Sequence, residues 1–219
     1  MMTTSVRSPS APVVVGITGG IAAGKSAVLA ALADLGADVV DADAVYRDLV
    51  APGQPLLARL RDHFGTGVVA SDGSLDRRAL GAIVFADPDK LAELDALTHP
   101  TVRAEVNRRV AASTAEVVAI EAIKLVESGQ AEVCDEVWLV VADPAIQRAR
   151  LIARNGVTPD EADRRLAAQA PADALRRSAA HHLIDNSGDP AALRAEVERR
   201  WSALRSRRSS TARASILPK

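Results

Sequence analysis

The sequence predicts an α/β fold, a P-loop NTPase-type parallel sheet flanked by helices and carrying a helical substrate-binding insertion. Three observations predict it. Gly19-Gly-Ile-Ala-Ala-Gly-Lys-Ser26 satisfies the phosphate-loop pattern G-x-x-x-x-G-K-[ST] at every fixed position, between the apolar run Val13–Val15 and an Ala/Leu-rich helical pattern. Glu136-Val-Trp-Leu-Val-Val-Ala142 is a near-continuous apolar run, as expected of a strand covered on both faces. Between them, Ala42 to Ser113 reads as nearly all helix, about 70 residues and far more than a crossover between parallel strands requires.

Each element has its own signal. Val13–Thr18, bounded by Pro12 and the glycines, reads as a buried strand. Ser26–Leu35 puts Val28, Leu32 and Leu35 on one helical stripe, and Gly36 ends it. Ala37–Val40 is a second strand ending at Asp41, which completes the opening βαβ unit. The helical insertion is broken by the polar turn Ser71-Asp-Gly-Ser74. Helix starts recur as Asp87-Pro88, Asp143-Pro144 and Asp189-Pro190, each an N-cap followed by proline at the first helical position. Val117–Ile120 is a third strand running into Glu121, and Glu136–Ala142 a fourth. Pro144–Asn155 is a helix closed by Gly156, and Thr158-Pro-Asp-Glu161 is a capping box opening another. His182–Asp185 is a short last strand and Pro190–Arg205 a closing helix. The His99-Pro100 pair should kink or end the helix that contains it.

Composition narrows the function classes. The chain has 219 residues, 48% hydrophobic and 25% charged, which suits one compact domain with an insertion. Two Trp, one Tyr and two Phe leave the core to Ala, Val, Leu and Ile. A net charge of −1 argues against nucleic acid held by bulk electrostatics. One cysteine, Cys134, excludes an internal disulfide and a cysteine-cluster metal site, and fits a cytoplasmic setting. No apolar stretch reaches membrane-spanning length. Residues 1–12 read as a disordered leader, and the Arg/Ser-rich residues 206–219 as a basic flexible tail.

The candidate chemistry starts at the loop. Gly20, Ile21, Ala22, Ala23, Gly24 and Ala27 supply small residues and backbone N–H groups to curl around phosphate. Lys25 would reach the outer phosphates and the Ser26 hydroxyl would ligate Mg²⁺. Asp41 and Asp43 end the second strand, where an open sheet binds its ligands. They could hold Mg²⁺ or take a hydroxyl proton, and Asp43 could equally N-cap a helix from Ala44 to Ala51. Glu121 could serve the metal side or be a strand-terminal charge. Arg150 and Arg154 share a helical face that could clamp phosphate or lie solvated, whereas Arg148 points elsewhere. Cys134 has no nearby base and is a poor nucleophile.

In order along the chain, these landmarks resemble the dephospho-CoA kinase family. The matches are Gly16–Ser26, Leu35-Gly-Ala37, Asp41-Ala-Asp43, Pro52-Gly53, Phe64-Gly65, Asp72-Gly73, Leu75-Asp-Arg77, Val84-Phe85 and His99-Pro-Thr-Val102. They continue with Cys134–Val137, Gln147, Arg150-Leu151, Arg154-Asn-Gly156, Arg165, Gln169 and Asn186-Ser-Gly188. The resemblance implies a core over 13–43 and 115–205, a CoA-binding helical insertion over 44–114 and a small lid at about 150–178. It implies ATP with Mg²⁺ as donor and dephospho-CoA as acceptor, with no nucleic-acid or membrane partner. Under it Lys25, Arg150 and Asp43 are catalytic, with Asp43 the base for the ribose 3′-hydroxyl. ATP would lie on Gly20–Ala27, Arg154, Asn186 and Gly188, the acceptor near Asp43, His99 and Pro100, and the metal on Ser26 and Asp41. One segment departs from the family, Ile123-Lys-Leu-Val-Glu127, where a Pro-Leu-Leu-Phe-Glu-like stretch is usual. That departure keeps open another nucleotide-like acceptor. A non-catalytic nucleotide-binding regulator is the further alternative.

Overall fold

A computed structural model describes residues 11–214. Five strands form one sheet in the order β2-β3-β1-β4-β5: β1 Val13–Gly19, β2 Asp38–Asp41, β3 Val117–Glu121, β4 Glu136–Val141 and β5 His182–Asp185. The β1–β3, β1–β4 and β4–β5 pairs are parallel. The strand order reverses at β1, so the carboxyl end of β1 opens the crevice where such sheets bind ligands.

The chain divides into two compact units, one running to Val39 and resuming at Val110, the other Val40–Arg109. In the first, α1 (Lys25–Asp34) and α9 (Pro190–Ala214) pack on the sheet through Val28, Leu32, Leu193, Val197 and Trp201, against Val15, Ile17, Trp138 and Ile184. Val28 and Leu32 are fully buried, and Leu35 lies partly buried at the end of the same stripe. The remaining helices of this unit are α6 (Pro144–Asn155), α7 (Pro159–Ala167) and α8 (Ala170–Ala179). Asp143 caps α6 by accepting from Ala145 N–H, and Gly156 closes it at φ +63°. Thr158 caps α7, but only half of the capping box forms, because the Glu161 carboxylate pairs with Arg164 and Arg165 instead.

The second unit is built from α2 (Ala42–Leu49), α3 (Pro55–Phe64), α4 (Arg77–Val84) and most of α5 (Pro88–Ala112). Its core is aliphatic, with Val50, Leu56 and Leu60 in one cluster and Val68, Leu80 and Val84 in another. Arg77 sits 5.7 Å over the Tyr46 ring, and burial pushes the Tyr46 phenol up against the opposing pull of that guanidinium.

Three expectations need correcting. The cap of α2 is Asp41, whose Oδ1 accepts from Asp43 and Ala44 N–H, so Asp43 is a first-turn residue and not the cap. Of the kink or end expected at His99-Pro100, the end does not occur: α5 continues through Pro100 to Ala112, and just before it the Thr98 hydroxyl donates back to Leu94 O. The closing helix does not stop at Arg205 but runs to Ala214, so residues 206–214 of the tail expected to be flexible are helical. No glycine or proline intervenes there to break it. Most of the expected leader, and residues 215–219, lie outside the described residues.

Candidate active site

The phosphate loop leaves β1 at Gly19 and enters α1 at Lys25. Gly24 is the N-cap of α1 at φ +93°, ψ +32°, with no side chain capping the helix and no acid in its first turn. The first amides and the dipole end of α1 thus stay available to an anion, which is what a phosphate requires. Ser26 and Ala27 are exposed, whereas Lys25 is only 9% exposed. Lys25 Nζ donates to Gly19 O at 3.2 Å and lies 4.0 Å from Glu121 Oε1 at the end of β3. The ammonium is therefore held over the loop by a carbonyl and a carboxylate. Ala22 has φ +57°, a left-handed conformation that costs a non-glycine residue about 1–2 kcal/mol unless its neighbours enforce it.

Two side chains brace the inner side of the loop. Buried Asn186, just after β5, donates from Nδ2 to Ala23 O at 2.9 Å. Arg150 of α6 donates to Asn186 O at 2.9 Å and reaches Ala23 O at 3.5 Å. Asn186 is presented by a tight turn in which Asp185 Oδ1 accepts from Ser187 N–H and Oγ at 2.9 and 2.6 Å, contacts that hold the Asp185 carboxyl below its ordinary range. Arg154, one turn beyond Arg150, is exposed and donates from Nε to Asn155 Oδ1 at 3.1 Å. Gly188 stands in open space two residues after Asn186.

Two contacts to the loop were not legible as roles. Ile21 N–H donates to Gln169 Oε1 at 2.8 Å, and Ile21 O accepts from Gln147 Nε2 at 2.9 Å. The helices that carry these glutamines are tied down elsewhere. Arg148 makes two bonds to Asp163, at 2.7 and 3.2 Å, joining α6 to α7. Arg176 of α8, 3% exposed, bonds Glu127 Oε1 at 2.8 Å and Asp173 Oδ1 at 3.1 Å. Segment 123–129 is a chain of turns, not a helix; Leu125 is fully buried and Ile123 O accepts from the Thr18 hydroxyl at 3.2 Å. Cys134 Sγ sits 3.6 Å from Gln130 O, with its residue partly buried.

In the second unit, Asp41 Oδ1 is spent on the α2 cap and its Oδ2 lies 3.5 Å from Arg47, while Asp43 is exposed one residue into the helix. His99 and Pro100 lie mid-way along α5, with His99 Nε2 3.2 Å from Asp95 Oδ1. Among the described residues no group of three or more His, Cys, Asp or Glu side chains is gathered as a metal site.

Residues 13–191 match the family model described as CoaE, dephospho-CoA kinase. A dephospho-CoA kinase of Symbiobacterium thermophilum is 48% identical over 193 residues, which is 87% of this chain and 80% of that protein. One of Frankia casuarinae is 44% identical over 91% of this chain and 87% of its own length. Among solved structures, TT1252 from Thermus thermophilus superposes with a TM-score of 0.74 at 32% identity, over 90% of this chain and 98% of that one.

Proposed function

The chain belongs to the dephospho-CoA kinase family, and we propose that it transfers the γ-phosphoryl group of ATP to the ribose 3′-hydroxyl of dephospho-CoA, giving coenzyme A and ADP. The observation that carries this reading is the uncapped amino end of α1, with buried Lys25 and exposed Ser26, inside a chain that matches the family over 13–191. Phosphoryl transfer asks a protein for position and charge more than for covalent chemistry. Amides at the start of α1, those of Lys25 and Ser26, cradle the donor phosphates and Lys25 spreads positive charge over their outer oxygens. Arg150, anchored on Ala23 O and Asn186 O, adds a fixed guanidinium beside the same loop.

Asp43 takes the proton from the acceptor hydroxyl. Because Asp41 supplies the helix cap, the carboxylate of Asp43 is not consumed by that duty and stays exposed. His99 and Pro100 mark the acceptor side, Asn186 and Gly188 the adenine side, and Arg154 the lid. Mg²⁺ is a hard cation that prefers oxygen; the exposed Ser26 hydroxyl would hold it, whereas both Asp41 oxygens already have partners. When bound it would neutralise charge on the donor phosphates. Among the described residues no helix is long and apolar enough to cross a membrane, and a cytoplasmic location fits the substrates.

Coupled ADP release with dephospho-CoA, adenosine and AMP as acceptors tests the reading. Release specific to dephospho-CoA supports it. Release only with another nucleoside would assign a different acceptor and implicate the Ile123–Lys124 departure. ATP binding with no release for any acceptor would leave a nucleotide-binding regulator.

A further inference from the structure

Ile21 is held from both sides by glutamines far away in the sequence. Gln147 lies one turn into α6, and Gln169 lies between α7 and α8. Their amides are oriented by what they meet: Ile21 N–H needs an acceptor and finds Gln169 Oε1 at 2.8 Å, while Ile21 O needs a donor and finds Gln147 Nε2 at 2.9 Å. Gly20 makes room for both, since a Cβ there would fall 3.2 Å from Gln169 Oε1 and 3.3 Å from Gln147 Nε2. The next residue along is Ala22, the left-handed alanine.

These facts fit together in one way. A non-glycine residue keeps a left-handed backbone only where its surroundings over-determine it. The residue before Ala22 has both of its backbone polar groups fixed by side chains, and the residue after it is fixed at its carbonyl, Ala23 O, by Asn186 and Arg150. We infer that Gln147 and Gln169 are positioning residues for the donor nucleotide: they lock the Ile21–Ala22 arch of the phosphate loop and couple it to the lid helices α6 to α8. Neither touches the reacting atoms. They act through the loop, and the coupling rests on the reading of that loop as the ATP site.

The lid side of the coupling is also built. Arg148 with Asp163 joins α6 to α7, and Arg176 of α8 bonds Glu127 in segment 123–129 as well as Asp173 one turn back in its own helix. A displacement of these helices therefore pulls on Ile21 through two hydrogen bonds. Conversely, a nucleotide that fixes the loop fixes the position of the glutamines.

The test uses Gln147→Met and Gln169→Met, near in size to glutamine but unable to form these bonds, singly and together, each with and without Ala22→Gly. ADP affinity is measured by calorimetry without acceptor, and KM is measured for ATP and for dephospho-CoA. Each single variant should weaken ADP affinity and raise the ATP KM about tenfold, the scale of one lost hydrogen bond, with the dephospho-CoA KM within about twofold. The double variant should lie within about twofold of the weaker single, because both bonds secure one residue. In the Ala22→Gly background the loss from Gln169→Met should shrink below about threefold, since glycine adopts the left-handed conformation unaided.

Unchanged ADP affinity in both single variants would overturn the inference. So would multiplied losses in the double variant, or a fall in Tm with both KM values rising together, which would mark a general loosening of the lid. If the wild-type chain fails to phosphorylate dephospho-CoA while the ADP affinities follow this pattern, the acceptor assignment falls and the positioning role stands.

Discussion

Gly24 leaves open the space that Asn186 fills: a Cβ on Gly24 would fall 1.9 Å from Asn186 Nδ2. The side chain that glycine omits is the space in which Asn186 bonds Ala23 O. Gly24 also sits at φ +93°, where an L side chain is strained. Gly24→Ala should therefore displace Asn186 and distort the loop together, destabilising the protein by about 1–2 kcal/mol and weakening ADP binding by at least roughly a hundredfold. Calorimetry with ADP and a thermal melt check both. An ADP affinity within a few-fold of wild type would show that the tight packing is not needed.

Asp43→Asn separates chemistry from donor binding. The amide fits the same exposed position in the first turn of α2 and leaves the Asp41 cap intact. With the base removed, kcat should fall roughly 10²–10⁴-fold while the ATP KM moves little. An unchanged kcat would take Asp43 out of the proton-transfer role.

The buried Arg176 makes a stability prediction. Removing a charge that pairs with Glu127 and Asp173 leaves a partly buried carboxylate without its guanidinium. Arg176→Met should cost about 3–5 kcal/mol by urea unfolding, the scale of breaking rather than replacing a buried pair. Arg176→Met with Glu127→Gln should recover part of that loss. No recovery in the double variant would show that the two residues contribute independently.

Much of this was legible because the signals are local. Gly19 to Ser26 declares the loop in eight contiguous positions, and Asp143-Pro144 sets the start of α6 because cap and proline act on adjacent backbone groups. Asp41 and Asp43 were harder. Either can cap a helix starting nearby, and only the observed bonds to Asp43 and Ala44 N–H decide for Asp41. At Pro100 local propensity left a kink or an end open, and only the continuation of α5 to Ala112 excludes the end. The Ile21 glutamines span 126 and 148 residues of sequence, and spacing carries no information over such separations. Gln147 and Gln169 were visible as family matches, but their role was not.

Glu105 supplies a pH dependence. Bonds from Arg108 and Arg109 lower its pKa from 4.5 to about 2. A carboxyl depressed on folding contributes stability above its unfolded pKa and loses it as pH falls through the folded value. The contribution should be complete above pH 4.5 and fade toward pH 2. Glu105→Gln should thus cost about 0.5–1 kcal/mol at pH 7, as a solvent-facing network does. The gap from wild type should close near pH 2. A gap that stays constant with pH would show that the effect is not the carboxylate's charge.

The central claim is transfer of phosphate to one particular hydroxyl. The most direct measurement incubates the protein with ATP, Mg²⁺ and dephospho-CoA and identifies the products by ³¹P NMR and mass spectrometry. The account predicts stoichiometric ADP and a product that has gained one phosphoryl group as a monoester on the ribose 3′-oxygen. Recovery of unmodified dephospho-CoA alongside ADP and free phosphate would contradict it, and so would a phosphoryl group on any other oxygen.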